Sequence, residues 1–171
     1  MATVHEGVDA LREAAGREWL SWTRMADFDG AAPPILVGGD GPYVIEADGT
    51  RLLDAMSGLF TTQIGYSHGA ELGAAAARQL ETLGFYPNWA ATSPAPVELT
   101  GQVTALSPER LSRVFFTSGG SEAVESALKL IRLHWLGRGE PLRRKVIARR
   151  GAYHGCTLGA LSLTGIPAAR A

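Results

Sequence analysis

The chain has 171 residues, a formal net charge of -1, 46% hydrophobic residues and a single cysteine. The balance of 16 lysines and arginines against 17 acidic residues excludes the basic excess of a nucleic-acid-binding domain, and Cys156 alone provides neither a disulfide nor a thiolate cluster for metal. No apolar run approaches the roughly 20 residues of a membrane span, and Met1 to Glu6 lack the basic start and apolar centre of a secretory leader, so the expectation is a soluble, cytoplasmic protein with a real core and no membrane partner.

In chain order, apolar residues at Val8, Leu11, Ala14, Ala15, Trp19 and Trp22 predict a helix over about Gly7 to Ala26, ended by the stretch from Asp27 to Gly30. The Gly/Pro-rich stretch from Gly30 to Pro42 reads as a linker. Tyr43 to Glu46 and Arg51 to Asp54 read as two strands joined by an Asp48-Gly49 turn. The loop from Met56 to Tyr66 has no clear period, and its aromatic and small residues suit a binding surface.

Helices are expected over about Ala70 to Leu83, closed by Gly84, and about Ala95 to Leu106, opened near Pro94 and stopped by Pro108. Between them, Phe85, Tyr86 and Trp89 lie in a loop that either packs inward or lines a pocket wall. A strand at Arg113 to Thr117, a helix from Ser121 to Leu136 closed by Gly137, and a strand at Lys145 to Arg149 give the strand-helix-strand order of a parallel sheet. The basic run Arg143, Arg144 and Lys145, with Arg149 and Arg150, suits a solvated strand edge.

Ligands of an open parallel sheet bind outside the carboxyl ends of its strands. After Thr117, the loop Ser118-Gly119-Gly120-Ser121 lets backbone approach a ligand and opens a helix whose first amides attract an anion. The same residues, with Glu122 and Glu125 in the first turns, also suit a simple helix cap. The spacing is neither GxxxxGK[ST] nor GxGxxG, which disfavours those two kinds of nucleotide site. After Arg149, Tyr153 and His154 bring a ring and an imidazole to the same sheet edge, so a phosphate bearing a flat ring would fit both loops.

Taken together, Phe115 to Leu130 with its Ser118-Gly119-Gly120-Ser121 core, Tyr153 to Ala160, the Tyr43 to Asp54 segment, Asp54 to Leu59 and Ile64 to His68 resemble the amino-terminal half of a class III aminotransferase of the omega-transaminase kind. The resemblance implies an α/β chain that is part of a fold-type-I pyridoxal-phosphate-dependent transferase. Residues 1–69 would supply the amino-terminal helix, linker and hairpin of the small domain, and residues 70–171 an incomplete large cofactor-binding domain. It implies pyridoxal 5'-phosphate as cofactor, with Gly119, Gly120 and Ser121 at the phosphate, Tyr153 on the pyridine ring and His154 beside it. Phe60, Tyr86 and Trp89 match positions that shape the family's substrate pocket. The implied partners are an amine or omega-amino-acid donor and a keto-acid acceptor such as pyruvate, in a homodimer.

The family's chemistry needs a lysine that forms a Schiff base with the cofactor and then carries the proton. The chain has only Lys129 and Lys145. Lys129 lies about 12 Å along the helix from the cradle, and Lys145 begins its strand at the far end from the ligand edge, so neither matches the family's lysine. The expectation is an amino-terminal fragment, inactive by itself, of a transaminase; the alternative is a short binding or dimerisation module without catalysis.

Overall fold

The computed structural model describes residues 5–28 and 30–169. Met1 to Val4, read above for the absence of a leader, lie outside them, as does Asp29 in the predicted helix stop. The chain divides into two compact units, Met1–Tyr86 and Pro87–Ala171.

In the first unit, helix α1 (His5–Ala15) ends well short of the predicted boundary. Gly16 follows Ala15, and Arg17 and Glu18 donate to the carbonyls of Ala14 and Ala15, a tightening that closes the helix. Trp19 and Trp22, counted above as part of the apolar face, are exposed, and Trp22 has φ +57°. A 3-10 turn follows at Met25–Phe28.

The stretch read as a linker carries strand β1 (Leu36–Asp40). It pairs antiparallel with β2 (Tyr43–Glu46), which pairs antiparallel with β3 (Arg51–Leu53), in the order β1-β2-β3. Asp40 faces Tyr43 across a two-residue turn, and Gly41, with φ +52°, takes the first central position where such turns favour glycine. The expected Asp48-Gly49 turn joins β2 to β3. Asp48 Oδ1 accepts the Thr50 amide at 2.8 Å, which holds the Asp48 carboxyl below its usual range. Beyond the sheet come α2 (Ser57–Phe60), a single left-handed helical turn, and α3 (Gly69–Leu83), close to the predicted helix.

The second unit contains α4 (Pro94–Leu106), α5 (Gly120–Gly137), α6 (Leu158–Leu163) and a 3-10 turn at Pro167–Ala169. The first two match expectation, with proline at the start of α4 where its missing amide costs nothing. The predicted strands at Arg113 to Thr117 and Lys145 to Arg149 do not form, and among the described residues the sheet is the antiparallel one of the first unit. A parallel strand is held by ladder bonds to its neighbours. Here the backbone beyond Arg149 instead exchanges bonds with Gly165: the Gly151 amide donates to Gly165 oxygen at 2.9 Å, and the Gly165 amide to Ala152 oxygen at 2.7 Å.

The expected core is small. Among the described residues, the buried hydrophobic ones are Val8 and Ala47 in the first unit and Ala160 in the second, where Thr164 is also buried. None of the described residues of α3, α4 or α5 is buried, and Phe115 and Ile147 are exposed. An apolar strand composition of this kind suits burial on both faces of a sheet, and without ladder partners these segments cover nothing.

Candidate functional site

The site is built where α5 begins. Gly119 caps the helix with extended backbone (φ -172°, ψ 171°), a conformation open to any residue, and the Ala123 amide makes the first helical bond to Gly119 oxygen at 3.0 Å. The amides of Gly120, Ser121 and Glu122 precede any carbonyl that the helix can offer them. The Ser118 amide is not part of this set, since it donates to Glu122 Oε2 at 2.8 Å in a capping arrangement. The Glu122 charge at that end partly offsets the helix dipole.

Neither Gly119 nor Gly120 has the left-handed φ that demands glycine, and a Cβ built on either meets nothing within 4 Å. Among the described residues, nothing packs where a side chain would stand at either position. The two glycines leave a bare backbone surface beside three unpaired first-turn amides, which is what a phosphate requires.

The second loop lies against this turn, as expected, although no parallel sheet brings it there. Ser121 Oγ accepts the Cys156 amide at 3.0 Å and lies 3.5 Å from Cys156 Sγ. The Ser121 hydroxyl is thus tied to the neighbouring loop, while its proton remains able to donate. Gly155 has φ +137°, and a Cβ there would come within 2.7 Å of both Ser121 Oγ and Ala160 Cβ. Its bareness is what lets the two loops touch.

Tyr153 is exposed and His154 half-buried, and the His154 amide donates to Thr164 Oγ1 at 3.0 Å. Thr164 is fully buried, with Oγ1 3.3 Å from the carbonyls of both Gly155 and Ala160, so it ties the Tyr153–His154 loop to α6.

Sequence reasoning missed the residue that joins α6 to α5. Glu125, read only as an acidic residue near a helix start, extends from α5 so that Oε1 accepts the amides of Gly159 at 2.7 Å and Ala160 at 3.2 Å. The nearby Thr157 hydroxyl, which makes no hydrogen bond of good geometry, then the Ala160 and Gly159 amides and the Lys129 charge, hold its carboxyl below the usual range, against the opposing effect of burial. The Gly159 and Ala160 amides are 34 and 35 residues away along the chain, and the sole sequence signal was Thr157 ahead of an apolar run.

Lys129 lies in the body of α5, where it lines an apolar groove with Phe115, Thr117, Ala123 and Leu133. Lys145 falls in the irregular segment after Pro141, so its placement at a strand end does not hold. Of the expected pocket residues, Phe60 closes the left-handed turn α2 with φ +68°, Tyr86 ends the first unit and Trp89 lies near the start of the second; all three are exposed.

The turn that carries Phe60 is itself held. Ser57, Leu59 and Phe60 all have φ between +50° and +68°, a conformation that costs roughly 1–2 kcal/mol for each residue with a side chain. Asp54 Oδ2 accepts the Gly58 amide and the Tyr66 hydroxyl, each at 2.6 Å, and Oδ1 accepts the Met56 amide at 3.2 Å. The Tyr66 hydroxyl is the main reason the Asp54 carboxyl sits below its usual range, and in return the carboxylate raises the Tyr66 phenol.

The sequence model of class-III aminotransferases matches residues 29–170. A probable aminotransferase of Mycobacterium tuberculosis is 46% identical over 149 residues, covering 87% of this chain and 31% of its own length. A putrescine–pyruvate aminotransferase of Pseudomonas aeruginosa is 35% identical, covering 92% of this chain and 37% of its own. Among solved structures, an (S)-enantioselective omega-transaminase from Thermomicrobium roseum superimposes with a TM-score of 0.89 at 38% identity, over 95% of this chain and 36% of that one. The omega-transaminase of Pseudomonas jessenii in complex with PMP superimposes with a TM-score of 0.87 at 33% identity, over 94% and 36% of the two chains. This chain thus spans about a third of the length of the relatives it matches. On these matches, it belongs to the class-III aminotransferase family, pyridoxal-phosphate-dependent transferases of fold type I.

Proposed function

We propose that this chain is the amino-terminal portion of an aminotransferase that moves an amino group from an amine or omega-amino acid to a keto acid such as pyruvate. Relatives named for putrescine, beta-alanine and omega-amino acids as donors, each with pyruvate, support that substrate class. The observation that carries the reading is the bare turn Gly119–Gly120, open to a ligand and joined through Ser121 to the loop of Tyr153 and His154.

Pyridoxal 5'-phosphate supplies, when bound, the electron sink for the bonds at the amine-bearing carbon. The first-turn amides of Gly120, Ser121 and Glu122 would bind its phosphate, with the Ser121 proton as a further donor, and no side chain at Gly119 or Gly120 obstructs the approach. Tyr153 would stack on the ring and His154 lie beside it. Phe60, Tyr86 and Trp89 would exclude water and shape the substrate side. The working protein would be a cytoplasmic homodimer whose further length provides the catalytic lysine. With Lys129 inside α5 and Lys145 outside the two loops, the 171-residue chain alone would be inactive.

The test is a titration of the chain with pyridoxal 5'-phosphate, followed by competition with inorganic phosphate. The expected result is binding that phosphate displaces, with no alanine formed from pyruvate when putrescine or beta-alanine is added. Binding that phosphate leaves untouched would remove the cradle. Steady alanine formation would remove the assignment of catalysis to sequence outside this chain.

A further inference from the structure

The phosphate side and the ring side of the site are held by different groups. The amides of Gly120, Ser121 and Glu122 belong to α5 and depend on no other element. Tyr153 and His154 sit on a loop held from two directions, the cradle and the end of α6, where Gly151 and Ala152 also bond Gly165. The first attachment runs directly to the cradle, from the Cys156 amide to Ser121 Oγ. The other runs through α6: the His154 amide donates to Thr164 Oγ1, Thr164 is buried at the end of α6, and α6 is fastened to α5 by Glu125.

Glu125 lies in the second turn of α5, and its side chain reaches the first-turn amides of Gly159 and Ala160, which have no helical carbonyl of their own. Glycine at 159 is what admits it, since a Cβ there would meet Glu125 Oε1 at 2.7 Å. A carboxylate accepting two amides makes a stronger joint than neutral groups would. Removing it leaves the α5 amides where they are and frees α6, with the backbone of His154, to shift.

Resting on the cofactor reading above, we infer that Glu125 is a positioning residue that sets the placement of the Tyr153–His154 loop relative to the phosphate-binding turn, so that a ligand with a phosphate and a flat ring is held at both ends. Its role lies in selecting a phosphate that carries a ring over a phosphate that does not.

The experiment compares the wild-type chain with Glu125→Ala and Glu125→Gln, using inorganic phosphate and pyridoxal 5'-phosphate as probes and reading both affinity and the circular dichroism induced in the ring's absorption band. Glu125→Ala is expected to leave phosphate affinity within about twofold while weakening pyridoxal 5'-phosphate by about tenfold and removing most of the induced signal, the scale of one lost charge-assisted hydrogen bond. Glu125→Gln, whose amide oxygen can accept the same two amides, is expected to restore most of both. Should Glu125→Ala fail to fold, Thr164→Val, which removes the hydroxyl that receives the His154 amide and reaches the Gly155 and Ala160 carbonyls, should give the same pattern. Equal losses for both probes, or no loss for either, would overturn the inference alone. A wild-type chain that binds neither probe would overturn the cofactor reading and this inference with it.

Discussion

At Gly65 in the first unit, φ is +74° and a Cβ would meet the Gly41 carbonyl oxygen at 2.6 Å; at Gly119 and Gly120 in the second unit, the backbone asks for no glycine and a Cβ would meet nothing. The first glycine serves the fold, because it lets the Tyr66 amide reach Gly41 oxygen at 2.8 Å and closes the loop over the hairpin. At the other two, no contact among the described residues depends on the missing side chain. Open space alone does not mark a ligand site, since Gly73 in α3 and Gly101 in α4 are equally unobstructed; what sets Gly119 and Gly120 apart is their place beside the first-turn amides of α5. The two carboxylates make a parallel contrast: Asp54 gathers amides to hold a strained turn, whereas Glu125 gathers amides to join two helices.

The largest expected effect tests the packing side of this contrast. Gly155→Ala forces a Cβ against Ser121 and Ala160 at a φ of +137°, and should destabilise the second unit by about 2–4 kcal/mol in denaturant unfolding. A neutral result would mean that the two loops are not in the contact described. Ser121→Ala comes next. It leaves the Cys156 amide without its acceptor, at about 1 kcal/mol, and should weaken phosphate binding less than Gly120→Val does, because the backbone approach outweighs one hydroxyl. The reverse order of binding losses would contradict the cradle.

Smaller again is the acid response of the first unit. Asp54 has a lowered folded-state pKa, so its contribution is complete above the ordinary aspartate value of 3.8 and is lost as pH falls through the lower folded value. Amide exchange at Met56 and Gly58 should therefore quicken only below about pH 4, and Asp54→Asn should bring that quickening to neutral pH. Tyr66 has the opposite sign: its phenol is raised above 10.0, so its hydrogen bond is lost as pH rises through that higher value. If exchange at Gly58 ignored both limits, the lock on α2 would be wrong.

Much of this was legible in the sequence where the signal is local. The Asp48-Gly49 turn, the proline-led α4 and the periodic α3 and α5 follow from turn chemistry and helical spacing. So did the juxtaposition of Ser121 with the Tyr153–His154 loop, though the parallel sheet invoked for it does not form. What was not legible depends on distant partners. Strand β1 was hidden by its glycines, which look like a linker until β2 is placed beside it. The six residues of α6 are too few for a period to show. Glu125 and Asp54 act through amides brought to them by folding, and neither residue's spacing announces this. The helix predicted to run to Ala26 failed because Gly16 lies inside an otherwise good apolar pattern.

The central claim is that Gly119 and Gly120 are bare for a ligand and not for the fold. Its most direct test is Gly120→Ala, with thermal stability and pyridoxal 5'-phosphate affinity measured on the same preparation. Alanine in the first turn of a helix, with open space around it, should raise stability by up to about 1 kcal/mol, while the added methyl weakens cofactor binding by about tenfold or more. Improved or unchanged stability together with unchanged affinity would contradict the account.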